Sequence, residues 1–360
     1  CNKVVKKLRK LISMLLTISI LSLGTGCGDF KTPKKHSDYI FGVFDTVVQI
    51  IGYTETQEEF KKYVEQIEDR LNELNRYYDI YNSYEGINNI KTINDNAGIS
   101  PVQVSDEIIN MLKFSVKQYE LTKGRVNIAL GSVLSIWHNY REAGKDDPEN
   151  AKIPPMDELK AASQHTDINN IVIDEEAKTV YLKDKDMSLD VGAIAKGYAV
   201  EVVAKEVEGA GLKSAIISVG GNVRTIGSPP EGKKTWAIGL QDPFSEIQGT
   251  QNIVDTVYVN DMSVVTSGDY QRYYEVNGTL YHHIIDPDTL MPANYFKSVS
   301  VIYPDSGTAD ALSTCLFLLP YEEGYSLIES IQGAEALWIL KDGSMKYTPG
   351  YKEISYKYGK

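Results

Sequence analysis

Cysteine is nearly absent: the chain has three in 360 residues, and two of them, Cys1 and Cys27, lie in the N-terminal stretch. With Cys315 alone in the remainder, a disulfide framework and a cysteine metal cluster are both excluded. Cys315 sits in an apolar helical run and reads as a small core residue rather than a nucleophile. Positive charge is also short. Formal net charge is -12, yet residues 1–35 hold eight Lys/Arg against one Asp, which leaves about -19 on the rest. So acidic a body argues against nucleic acid, whose phosphates need neutralising lysines and arginines. A phosphorylated ligand would need a local lysine or metal to offset the repulsion. The apolar run Leu11–Gly26 falls short of the roughly 20 residues of a comfortable membrane span.

What stands around that run has an order. Lys3, Lys6, Lys7, Arg9 and Lys10 precede it and the small pair Thr25-Gly26 follows, directly before Cys27. Basic, apolar, then small residues make a signal peptide over 1–26. The small pair before Cys27 resembles a bacterial lipobox, in which the cysteine becomes the lipidated first residue, although Leu23 stands one place early. The alternative is an uncleaved anchor helix. Either reading places the body outside the cytoplasmic membrane, attached through 27–38, a polar, lysine-rich tether.

The body, 39–350, mixes both hydrophobic periods. A strand with a kink near Gly42, followed by a second run rich in β-branched residues, is expected over 39–52, and helices over 56–77 and 105–122 capped by Thr56 and Ser105. A tyrosine- and asparagine-rich loop separates the two helices. A helical or mixed run over 124–140 leads into a polar loop over 141–156, and a short helix follows at 155–163. The pairs 170–173 and 179–182 read as a hairpin. A strand over 187–190 then feeds a helix over 193–208. Strands follow at 215–220, 235–240, 253–259, 262–266 and 297–303, with a hairpin turning at Asn277-Gly278. Helices over 306–320 and 321–332 and a hairpin around 341–343 close the body. Hairpins interleaved with helices imply an α+β fold, antiparallel sheets layered with helices.

Three segments carry chemistry. MSLDVGAIAKG (187–197) ends a strand at Asp190, turns at Gly192 and opens a helix bearing Lys196 and Gly197. A tight turn at a helix start favours an anion, but the segment is neither a Walker motif nor a Rossmann fingerprint. A solvated lysine is the plainer reading of Lys196. The turn Gly220-Gly221-Asn222 could approach a phosphate or a ring edge. In ADALST (309–314), Asp310 and Thr314 lie one helical turn apart and offer two hard oxygens to a cation such as Mg2+. A cap or salt bridge is the alternative for Asp310. In HHIIDP (282–287), successive strand side chains face opposite ways, so only one of His282 and His283 easily reaches a given site. A histidine base suits proton removal from a hydroxyl. His138 and His165 have no matching partners and read as structural or surface residues, and Asp45-Thr46 as turn polars.

With these residues in hand, the body resembles the FAD:protein FMN transferase family, often called the ApbE family. Its members carry DxGAxAKG, a GGN turn, HIIDP and an ADALSTxLF helix in this order. Here these stand at 190–197, 220–222, 283–287 and 309–317. YEGINNIKTIN and SVLSIW look like its ligand-wall segments. The chain departs from the family pattern at Phe44-Asp45-Thr46, where Met-Gly-Thr is common, and at Gly124–Asn127, where Gly-x-Phe-Asp is common. The resemblance implies metal ligation by Asp310, Thr314 and the backbone oxygen of Ala193. It implies flavin-nucleotide contacts from Phe44, Tyr81, Arg125, Val126, Asn127, Asp190, Lys196, Gly220, Gly221, Asn222 and Ile284. His283 becomes the candidate for proton transfer, with Asp286 beside it.

The activity so implied is Mg2+-dependent cleavage of FAD at its pyrophosphate. FMN passes to a Thr or Ser hydroxyl of an exported redox protein, and AMP is released. Two alternatives stay open: hydrolysis of FAD to FMN and AMP, and passive flavin binding by a lipoprotein.

Overall fold

The computed structural model describes residues 32–230, 232–245, 252–270 and 272–359. The signal segment and Cys27 therefore lie outside the described residues. Within them, no helix is long and apolar enough to cross a membrane.

An antiparallel sheet of eight strands organises the molecule, in the order β1-β2-β6-β7-β10-β13-β14-β15. β1 (Lys34–Val43) and β2 (Thr46–Thr54) form a hairpin. β6 (Ala215–Val219) and β7 (Asn222–Ile226) supply the centre together with β10 (Ser263–Gly268). β13 (Phe296–Tyr303), β14 (Glu335–Leu340) and β15 (Met345–Tyr347) complete it. Three small sheets surround it. β3 (Val102–Gln103) joins β5 (Thr179–Leu182) and β4 (Ile171–Asp174), β8 (Trp236–Gln241) pairs β9 (Ile253–Val259), and β11 (Tyr273–Val276) pairs β12 (Thr279–His282).

Period-two patterning gives the large sheet two covered faces. Val48, Ile50, Ile217 and Val219 point toward the helices α1 (Gln57–Tyr78), α2 (Ile90–Asp95) and α3 (Asp106–Leu121). Ile51, Ile216, Val264, Ile302 and Leu337 point the other way, onto Trp236, Ile238 and Val257 of the β8–β9 pair. α4 (Gly131–Asp146) and α5 (Met156–Ala162) belong to a separate cluster with Trp137, Tyr274 and Leu290. α6 (Ala195–Gly209) and α7 (Ser306–Leu318) pack together on the helical face, α8 (Tyr321–Glu329) follows, and α9 (Tyr351–Ile354) seats Tyr351 in the β8–β9 cluster. The expected α+β architecture of antiparallel sheets layered with helices is what forms.

Several expectations need correction. The tether reading fails from Lys34 onward, since 34–38 already form strand β1, and the chain continues past 350 into the buried Tyr351. The two runs expected over 39–52 form β1 and β2, the first beginning earlier, at Lys34, and they pair as a hairpin. It turns at Phe44 (φ 50°) and Asp45 (φ 53°), the left-handed pair that a two-residue turn requires. Neither residue favours that conformation; the Phe44 N–H is held by Asn75 Oδ1 at 3.1 Å. Segment 187–190 is not a strand. Its backbone is tied instead by Asn94, whose amide donates to Leu189 O (3.0 Å) and accepts from Leu189 N (2.8 Å). α4 runs to Asp146, through the start of the expected loop. Thr56 caps α1 by accepting from Glu59 N at 3.1 Å, whereas Ser105 occupies the α3 cap position without a side-chain cap bond.

Candidate functional site

α6 and α7 meet where the site is built. Gly197 is the third residue of α6, where a helix N–H has no acceptor within its own helix. Its N–H donates to Asp310 Oδ2 at 2.8 Å, across the helix pair. A Cβ on Gly197 would fall 2.5 Å from both Asp310 Cβ and Ser306 O, so only glycine allows this approach. Among the described residues the Ala193 carbonyl has no hydrogen-bond partner, and the second oxygen of Asp310 is also left without one. Asn222 is buried beside them; its amide helps hold down the Asp310 pKa, yet its nitrogen closes no hydrogen bond. Thr314 Oγ1, one turn along α7, lies 3.4 Å from Ser267 Oγ.

The helix pair is fixed by a second buried contact. Glu201 on α6 accepts from Arg224 Nε (3.1 Å) and from the N–H of Ser306 (2.8 Å), the first residue of α7. A carboxylate at a helix start is favoured there.

These groups open into a cavity of about 620 Å3, within the range of small-molecule sites. Phe44, Tyr81, Arg125, Val126, Asn127, Asp190, Ala193, Lys196, Gly220, His283, Ile284, Asp310 and Thr314 all line it. Gly221, Asn222 and Asp286 do not. Asp286 is a turn residue: buried, it accepts from Asp288 N at 2.8 Å and faces Arg125 at 3.5 Å. The Asn127 side chain is spent locally, accepting from Ala129 N and donating to Thr166 O.

Burial sets the charges. It raises the Asp310 pKa against the opposing pull of Lys196, and it lowers that of Lys196 against Asp310. Burial likewise raises the pKa of Asp190, whose carboxylate accepts from Gly192 N. A cavity that destabilises its own isolated charges favours ligands that complete them.

The two histidines separate as the strand period requires. His282 is buried, with Nε2 donating to Ala293 O at 2.6 Å and Nδ1 accepting from Ile284 N. Both nitrogens are thereby occupied. His283 Nδ1 donates to Arg272 O at 3.3 Å, because a carbonyl can only accept, and this leaves the Nε2 lone pair free. Burial, then the Arg272 guanidinium, pushes the His283 pKa down to about 3. The unfolded chain, with an ordinary histidine pKa of about 6.5, takes up this proton more readily. Stability should thus fall as pH drops from about 6.5 toward 3, and H283Q should flatten that limb in denaturant melts across the range. An unchanged limb would count against the burial of this ring.

Other lining residues were not singled out from sequence. His138, read there as structural, faces the cavity between Tyr81 (rings stacked at 4.9 Å) and Arg141 (2.9 Å to Nδ1). Ser267 and Arg272 join them. The polar end of apolar strand β10 was the only signal for Ser267. His165 is a surface residue bonded to Asp184 at 2.8 Å, away from the cavity. Cys315 is buried with its thiol pushed up to about 12 by desolvation, which fits an inert core role.

With this geometry in place, the comparison with known proteins is direct. The ApbE family matches residues 44–338, most of the described body and every lining residue but Gly42. The chain belongs to the ApbE family. A FAD:protein FMN transferase of Treponema pallidum (strain Nichols) is 34% identical over 274 residues, covering 72% of this chain and 73% of that protein. One from Klebsiella pneumoniae (strain 342) is 30% identical over 274 residues, covering 75% and 80%. The crystal structure of the ApbE protein from Thermotoga maritima matches at a TM-score of 0.77 and 28% identity, covering 89% of this chain and 99% of that one. The four motifs recognised in the sequence thus lie within the region that defines the ApbE family.

Proposed function

We propose that this ApbE-family chain is an FAD:protein FMN transferase. It would cleave FAD at the pyrophosphate, attach FMN to a Thr or Ser hydroxyl of an exported redox protein and release AMP. The observation that supports the reading is that Asp310 accepts from the Gly197 N–H with one oxygen only, while the unpartnered Ala193 carbonyl and Thr314 line the same cavity. An all-oxygen set of this kind suits a hard cation, so Ala193, Asp310 and Thr314 are the residues that would hold Mg2+. When bound, Mg2+ supplies charge neutralisation at pyrophosphate oxygens.

The chain's own groups supply the rest. Lys196 and Arg272 face the cavity as cations for the phosphates, which the acidic body would otherwise repel. Phe44, Tyr81 and Ile284 offer apolar or aromatic walls to the flavin ring. Neutral His283, fixed by Arg272 O with Nε2 free, can take the hydroxyl proton as the acceptor oxygen bonds the FMN-side phosphorus. The bond from that phosphorus to the bridging oxygen breaks, and AMP leaves. The anionic substrate itself would raise the depressed His283 pKa and so strengthen the base.

Incubating the protein with FAD, Mg2+ and a flavin-accepting redox domain should add the mass of one FMN to that domain, with AMP in equal amount. Rapid metal-dependent AMP release with unmodified acceptors would assign the site to FAD hydrolysis. FAD binding without AMP under any condition would leave only a flavin-binding protein.

We further propose that Cys27 carries the lipid that holds the body at the outer face of the membrane, beside its acceptors. The basic, apolar and small-residue order of 1–27 supports this. Mass spectrometry of the N-terminus should find a diacylglyceryl-modified Cys27. An intact segment 1–26 in the membrane fraction would instead make the apolar run the anchor.

A further inference from the structure

Among the described residues β1 has a strand partner on one side only. It ends the eight-stranded sheet and pairs with β2. Its outer backbone groups form a template for another strand, which natural proteins usually blunt with lysine, proline or a bulge. Here Lys34 and Lys35 stand at the start, Asp38 in the middle accepts from the Tyr39 N–H at 2.8 Å, and the irregularity around Gly42 (φ 89°) stands at the finish. The outward side chains after Asp38 are aromatic and exposed. Tyr39 is 40% and Phe41 62% exposed, and the two share a face. The opposite face is committed to the core, where Ile40 is buried and His36 stacks on Phe60 at 5.4 Å, so the register of β1 cannot slip. The strand also leads straight to the site, since Gly42 and Phe44 line the cavity.

We propose that the outer edge of β1, with Tyr39 and Phe41, docks the flavin-receiving segment of the acceptor protein as an added strand whose end brings the target hydroxyl to the cavity mouth. The inference rests on the transferase reading, because a hydrolase needs no protein-docking surface. Strand addition supplies affinity through main-chain hydrogen bonds and specificity through alternate side chains. It also converts a search for one hydroxyl into a fixed register relative to Gly42 and Phe44. Charge adds a direction. Lys34 and Lys35 begin the edge, and Lys233 lies close enough to lower the Lys35 pKa further after burial. On an otherwise acidic body, this cationic end favours an acceptor segment with acidic residues there.

The test uses the full chain, FAD, Mg2+ and a redox domain bearing one flavin-accepting threonine. Phe41→Ser and the double variant Y39K/F41S should raise the KM for that domain about tenfold, as removal of an interface anchor does. The Kd for FAD and kcat at saturating acceptor should stay unchanged. In the wild type, adding the domain should slow amide exchange over 37–41. Normal wild-type transfer with unaltered acceptor KM in both variants overturns the docking role and leaves the transferase reading intact. Absence of wild-type transfer removes both. Protection of 37–41 that grows with enzyme concentration alone assigns the edge to a second copy of the chain and also overturns the proposal.

Discussion

Asp310→Asn should reduce FMN transfer roughly 10³-fold while leaving the fold nearly as stable as the wild type. The size is what the proposed role as an anionic Mg2+ ligand implies, about 4 kcal/mol of charge stabilisation at the pyrophosphate. The stability follows from geometry. An asparagine oxygen can still accept from the Gly197 N–H, which Asp310 Oδ2 binds at 2.8 Å. Asp310→Ala should lose the same activity and, in addition, about 1–3 kcal/mol of stability, because it leaves that N–H buried without a partner. Turnover assays, Mg2+ titration and denaturant melts on both variants separate ligation from packing. Wild-type turnover and Mg2+ dependence in D310N would remove Asp310 from the site.

Glu201→Ala should cost about 3–5 kcal/mol, the usual effect of leaving one member of a buried pair uncompensated. Glu201 and Arg224 are 5% and 7% exposed, so water cannot stand in for the lost carboxylate. The same change strips the acceptor from the Ser306 N–H at the start of α7. Activity should fall beyond what the unfolded fraction explains, because α7 carries Asp310 and Thr314. The double variant E201L/R224M should recover most of the stability, since apolar replacement of a buried pair is often near neutral. It should remain short of wild type by the unpaired Ser306 N–H. Equal melting of E201A and wild type would mean that the pair does not fix the helices.

The sequence was most legible where candidate site residues are contiguous. Asp190 to Gly197 and Asp310 to Thr314 each span about two helical turns or less, and residues of both line the cavity. The antiparallel α+β layering was readable from hairpin signals, with Asn277-Gly278 the clearest. Long-range side-chain ties were not. The 187–190 segment has strand composition, but Asn94 satisfies its backbone in place of a ladder. His138 looked partnerless because Tyr81 and Arg141 surround it only in space. Asp286 looked available because Arg125, its neighbour, comes from a distant segment. The turn at Phe44-Asp45 was hidden for another reason: neither residue advertises a positive φ, and Asn75 holds the conformation from α1.

The strand order also bears on how the chain folds. β2 pairs β6 from Val48↔Val219 to Gly52↔Ala215, so the first hairpin has no inner neighbour until the middle of the chain has been made. Sheets closed by such distant pairings are slow to assemble, because the loop entropy is lost before contacts repay it. During synthesis the N-terminal third would wait with β2 unpaired on its inner edge, exposed to misassociation. Refolding should accordingly show its dominant slow phase in signals from the β2–β6 contact, well after α1 and α3 have gained their helicity.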